Sequence, residues 1–176
     1  RHFEVFRDVE FIREMHRTLV TLPAEWIIEY RDHNGLPRAS WDLWEERHGV
    51  HLFTVASCIG ALDAASAFAD DFGAADESAR YRAAADQMRL AMVEHMWNEN
   101  AGHFARSVTL QEDGSYTHDM TLDASAWGLL AFGALDAHDA KLAAHMNAVR
   151  NRLTIKTAIG GVARYENDYY HQVESK

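Results

Sequence analysis

Val5, Val9, Ile12, Met15, Leu19 and Leu22 recur at spacings of three and four, so the chain predicts one apolar helical stripe near its N-terminal end. Pro23 interrupts that stripe, and Trp26, Ile27 and Tyr30 extend it briefly. Asn34-Gly35 is a turn signal. Residues 35–49 follow no clean period, contain Pro37 and read as an ordered loop, the kind of segment that most often carries chemistry. From 50 to 72, apolar or small residues occupy nearly every side, which predicts a helix buried on most faces. Gly73 is its expected stop. A second helix runs over 76–97, with Tyr81, Ala84, Met88, Ala91, His95 and Met96 on one face and charges opposite.

The pattern then changes. Residues 103–108 and 115–117 flank Asp113-Gly114 and predict a short β-hairpin within 103–121. Asp123 is placed to cap a helix through Leu135. Asp139 starts another, whose face is Leu142, Met146, Val149 and Leu153. Gly160-Gly161 opens a final loop that reaches Tyr170. Five helices of two characters, apolar all round or one-sided, suit stacked helical hairpins with a buried inner row and a half-exposed outer row. A solenoid and an α/α toroid both fit, although no repeat of fixed period is visible.

Composition narrows the function. Twenty-eight of 176 residues are Ala and two are Pro, a bias toward helix. The formal net charge of −10 disfavours a nucleic-acid partner, because phosphate binding needs a basic face. One cysteine, Cys58, rules out an internal disulfide framework and a thiolate-rich zinc site. Cys58 sits mid-helix and reads as a small buried residue. The longest apolar run, over 127–135, falls well short of the roughly 20 residues of a membrane span, so no membrane partner is expected. The eleven histidines lack metal-ligand spacing: His48 and His51 have no carboxylate ladder, and His138 and His145 read as surface positions on one helix face. We therefore expect no metal and no cofactor.

The densest chemistry lies in Trp41-Asp42-Leu43-Trp44-Glu45-Glu46-Arg47. Adjacent glutamates beside indole rings invite unequal protonation, since burial and a neighbouring carboxylate both disfavour a charge. Arg47 could hold one of them ionised. An acid and a charged acceptor would then sit side by side, with flat aromatic surfaces suited to sugar rings. A charged loop whose tryptophans pack on the core has the same composition. A second candidate is Gly160-Gly161-Val-Ala-Arg164-Tyr165-Glu-Asn-Asp168, where Arg164 and Asp168 could equally be a loop ion pair.

The stretch from Gly35 to Thr54, with its Asp-Leu-Trp-Glu-Glu core at 42–46, resembles the central segment of glucoamylase-type enzymes of glycoside hydrolase family 15. Asp123-Ala-Ser125 before a helix, and Gly161-x-x-Arg164-Tyr165-x-x-Asp168, are similar to further motifs of that family in the same order. The resemblance implies an all-α fold, part of an (α/α)6 toroid. It implies an inverting exo-hydrolase that releases β-glucose from an oligo- or polysaccharide α-glucoside. It makes Glu45 the general acid and Glu46 a ligand of sugar hydroxyls. Asp42 would support the loop, Leu43 and Trp44 would line the first sugar subsites, and Arg164 with Asp168 would bind the sugar.

In that family the general base follows the last of these motifs, and an Arg-Asp pair that grips the innermost sugar precedes the first. We therefore expect residues 1–176 to be one segment of a longer catalytic domain, incomplete at both ends and inactive alone, with exposed helix faces that favour self-association; intact mass and sedimentation would check both. Trehalase or glucodextranase activity in the same family, or a non-catalytic helical scaffold, are the alternatives. The acidic surface and lone cysteine suit a cytoplasmic protein, with export of the parent left open.

Overall fold

The computed structural model describes residues 2–168. Tyr170, the expected end of the last loop, lies outside them. The N-terminal stripe is not one helix. It is divided into α1 (His2–Phe6), α2 (Val9–Met15), a π-helical turn (His16–Thr21) and α3 (Leu22–Glu29). Arg7 takes a left-handed φ of 51° between the first two. The π-helical turn has a local cause: Pro23 has no N–H to donate, and the turn before it widens so that the Leu22 N–H reaches the Arg17 carbonyl, five residues back. Val5, Leu19 and Leu22 face outward, and only Ala24 and Ile27 of α3 are buried.

The centre of the molecule is the hairpin of α4 (Leu52–Asp71) and α5 (Ala75–Met96). Val55, Ile59 and Leu62 of α4 meet Tyr81, Ala85, Met88 and Met92 of α5 in one fully buried cluster. Small residues let other segments come close: a Cβ on Gly60 would lie 2.7 Å from the Phe132 carbonyl oxygen. Gly73, at φ +77°, ends α4 in the left-handed conformation that favours glycine. By length and composition α4 could cross a bilayer. Here its apolar side is packed on α5, and its Asp63 pairs with Arg89 of α5 at 2.7 Å.

The segment without a helical period is a β-hairpin. β1 (Ser40–Trp41) pairs antiparallel with β2 (His48–His51), Ser40 opposite Gly49. β2 pairs in turn with β5 (Ser107–Leu110), and β5 with β6 (Tyr116–Asp119), giving a four-stranded antiparallel sheet. The expected hairpin around Asp113-Gly114 is the β5–β6 half of that sheet. His103 and Phe104 belong elsewhere: as β4 they pair back on β3 (Trp97–Asn98). The fold is thus mostly helical with a small sheet, whose β5–β6 half the sequence pattern shows and whose β1–β2 half it does not.

Asp123 caps a helical segment as expected, accepting from the Ser125 N–H at 2.8 Å. The segment is shorter than the pattern suggests: a 3-10 turn (Ala124–Trp127) and α6 (Gly128–Ala131), ended before Gly133 at φ +68°. α7 (Ala140–Leu153) starts on an Asp139 cap and buries Leu142, Val149 and Leu153. His145 on the same helix is not a surface residue. It is 2% exposed and tilts against the Phe104 ring, because the face that buries Leu142 and Val149 also contains position 145.

Candidate active site

Residues 42–47 form the tip between β1 and β2. The turn closes through the Asp42 N–H to the Arg47 carbonyl at 2.9 Å and the Glu45 N–H to the Asp42 carbonyl at 3.1 Å. The buried Asp42 carboxylate holds the tip from inside, its Oδ1 accepting from the Glu46 N–H at 2.8 Å and the Arg47 N–H at 3.3 Å. Asp42 therefore braces the loop from inside. The tightness of the tip puts Glu45 at φ +58°, a conformation uncommon for a residue with a Cβ.

The two glutamates leave this tip in different directions. Glu45 is exposed, so the burial expected to act on it is not present in this chain. Glu46 turns into a cluster of donors. The Tyr165 hydroxyl donates to its Oε2 at 2.6 Å, Arg47 Nη1 to the same oxygen at 2.8 Å, and Arg164 Nη2 lies 3.4 Å from Oε1. The Tyr165 bond above all, then the arginines, holds the Glu46 carboxyl below the usual carboxylate range. Arg47 thus keeps the second glutamate ionised, as the sequence suggested, but Tyr165 contributes more.

The second motif meets the first here. Arg164 is gripped from two sides, Nε to Asp168 Oδ2 and Nη2 to Asp168 Oδ1, both at 2.8 Å. This bidentate pair raises the guanidinium pKa. Arg164 also lies over the Trp44 ring, 5.1 Å from its centroid. Trp44 Nε1 donates to Asp123 Oδ2 at 3.0 Å. Backbone pairing of Asp123 with Tyr165 keeps the loop in register with the 3-10 turn. Asp42, Trp44, Glu46, Arg164 and Asp168 therefore form one connected network. Leu43 and Trp41 stand outside it, 45% and 61% exposed beside Glu45. Gly160 and Gly161, at φ +73° and +109°, serve the turn into this loop, since open space surrounds both.

Three contributors were not singled out as site residues. Tyr165 is 2% exposed, and the guanidinium groups of Arg47, Arg106 and Arg164 lie 4.9–5.3 Å from its ring centroid. Asp123 belongs to a quoted motif and caps a helix, and its bond to the Trp44 indole is what the sequence does not mark. Arg106 is buried and braces Asp119 through Nε at 3.0 Å and through Nη2. Tyr165 sits inside a quoted motif and was legible there; Arg106 is a single charge amid a strand pattern, with no spacing to mark it. His51 lies buried at the base of the hairpin, its Nε2 3.2 Å from the Ser40 carbonyl oxygen, and burial lowers its pKa. His48 is exposed, so the two histidines do not converge. Among the described residues, no group of three or more His, Cys, Asp or Glu is placed to hold a metal ion.

Chemically, the cluster offers one exposed carboxyl beside a fixed carboxylate, a paired guanidinium and two exposed apolar side chains. The sequence model of Glycosyl hydrolases family 15 matches residues 19–176. An uncharacterised glycosyl hydrolase of Methanocaldococcus jannaschii is 25% identical over 131 residues, 74% of this chain and 20% of that protein. A probable glucoamylase of Schizosaccharomyces pombe is 35% identical over 92 residues, 51% of this chain and 20% of that protein. The crystal structure of a bacterial glucoamylase complexed with acarbose superposes with a TM-score of 0.71 at 19% identity, over 89% of this chain and 25% of that one. That likeness concerns the fold. The chain spans about a fifth of the length of the curated relatives it matches.

Proposed function

The chain belongs to glycosyl hydrolase family 15, and from that premise we propose that it is the acid-bearing segment of an inverting, exo-acting glucoamylase-like hydrolase. One observation carries the reading: adjacent carboxyls at one hairpin tip have separate environments, Glu45 exposed and Glu46 fixed by Tyr165, Arg47 and Arg164. Proton donation needs a carboxyl that reaches the leaving oxygen, and sugar binding needs a charged acceptor held still. Glu45 takes the first role and Glu46 the second on this reading. Arg164, oriented by Asp168, donates to sugar hydroxyls, while Leu43 and Trp44 offer apolar surface to the sugar rings.

Inversion requires a second carboxyl about 6.5–9.5 Å from the acid, with room for the attacking water. On the family resemblance that base, and the rest of an (α/α)6 toroid, come from other parts of the parent protein. The substrate is an oligo- or polysaccharide with α-linked glucose at its non-reducing end.

The parent protein tests this with maltose, isomaltose and trehalose, the first-formed product being followed by NMR before it mutarotates. The reading expects β-glucose from maltose. Release of α-glucose first, or activity on none of the three, would overturn it.

A further inference from the structure

Beside the Trp44–Asp123 bond lies a partly enclosed space of about 10 Å3, whose lining includes Leu52, Arg106, Thr121, Asp123, Ser125 and His145. A space of that size matches one water molecule. Two of its lining residues are more than nine-tenths buried and carry polar atoms without a hydrogen-bond partner in the protein: Arg106 Nη1 and His145 Nε2. Buried polar groups of native proteins are nearly always paired, by the protein or by ordered water.

Both unpaired atoms are donors. Arg106 has no acceptor to offer. For His145 the assignment follows from its other nitrogen: the Phe104 N–H donates to Nδ1 at 3.0 Å, which makes Nδ1 the acceptor and places the proton of the neutral ring on Nε2. Burial keeps that ring neutral, with a pKa of about 4. Whatever fills the space must therefore accept two hydrogen bonds. An anion is disfavoured, because the Asp123 carboxylate lines the same space, its Oδ2 3.8 Å from Arg106 Nη1. A water fits on both sides, since the Asp123 carboxylate and the hydroxyl oxygens of Thr121 and Ser125 can accept its protons.

We propose that this cavity binds a single structural water that accepts from Arg106 Nη1 and His145 Nε2 and donates to the Asp123 carboxylate. The water joins α7, the strand region of Arg106 and the residue that holds the Trp44 indole. His145 is then a positioning residue for the site: it acts on Trp44 through the water and through Asp123. This assignment does not depend on the hydrolase reading.

Water-to-protein NOE and ROE spectra of the full chain test it. The wild-type protein should show cross-peaks from the His145 Nε2–H and the Arg106 Nη hydrogens to a long-lived water. His145→Phe keeps an aromatic ring and removes both nitrogens, the Nε2–H donor and the Nδ1 that accepts from the Phe104 N–H. It should abolish the cross-peaks and shift the Trp44 indole N–H resonance, assigned through Trp44→Phe. His145→Gln, which can present a side-chain N–H, should restore both. A wild-type His145 protonated on Nδ1, the absence of a long-lived water, or an unmoved Trp44 resonance in His145→Phe would each overturn the proposal. Should His145→Phe not fold, the wild-type spectra decide alone.

Discussion

Helices α4 and α5 meet mainly through hydrocarbon, Val55, Ile59 and Leu62 against Tyr81, Met88 and Met92, all buried, with the Asp63–Arg89 ion pair and a Ser66–Ser78 hydrogen bond beside it. The β1–β2 tip meets the 161–168 loop through charges and one phenol, and its central bond, Tyr165 to Glu46, joins residues 119 apart in sequence. The first region is held by area removed from water, which is non-directional and tolerant of detail. The second depends on directed donors around a carboxylate, where each contact has one geometry. The helical pair supports the molecule, and the tip keeps its adjacent glutamates unlike.

The largest expected stability effect is in the helical pair. Leu62→Ala removes three carbon atoms from a fully buried site and should destabilise by roughly 2–5 kcal/mol. The bonds around Glu46 should persist below the lowered melting point. Denaturant melts, with the Glu46 carboxyl followed by NMR, separate the two regions. If Glu46 loses its low pKa in the folded Leu62→Ala protein, the regions are not independent.

Acid comes next. The His145 pKa of about 4 lies below the ordinary value of 6.5, so between those pH values the unfolded chain binds a proton that the native chain does not. Its contribution is complete above about pH 6.5, is lost progressively as pH falls toward 4, and totals on the order of 3 kcal/mol. The lowered pKa of His51 acts in the same direction. Melting temperature should therefore fall from pH 7 to pH 4.5, before most carboxylates titrate. A flat profile over that range would contradict the buried neutral state of His145.

The smallest effect is expected from Tyr165→Phe. The ring stays among its three arginines, and the hydroxyl's bond to Glu46 and its weaker interaction with Arg47 are lost. Melting should drop by no more than a few degrees. The Glu46 carboxyl should rise toward its ordinary range, since that bond is the main cause of its lowering. An unchanged Glu46 titration would transfer the role to Arg47 and Arg164.

The same contrast explains what could be read from the chain. The α4–α5 hairpin and the caps at Asp123 and Asp139 follow from periodicity and local chemistry, and the structure has them where the pattern placed them. The N-terminal stripe misled because spacing reports which residues could share a face, not whether a partner covers it: Val5 and Leu19 remain 71% and 66% exposed. The β1–β2 hairpin escaped because its strands are two and four residues long and its register depends on β5, more than fifty residues away. In the site, the motif residues were legible as residue types in a quoted order. The exposure of Glu45, the depth of Tyr165 and the Arg106 brace arise only when distant segments meet.

The central claim is that Glu45 is the proton donor of the parent enzyme, and Glu45→Gln in that parent tests it most directly. The substitution keeps the size of an exposed side chain, so folding should be unaffected. The account predicts that kcat on maltose falls roughly 10²–10⁴-fold while substrate binding stays nearly constant. A variant that hydrolyses maltose within a few-fold of the wild-type rate would contradict it.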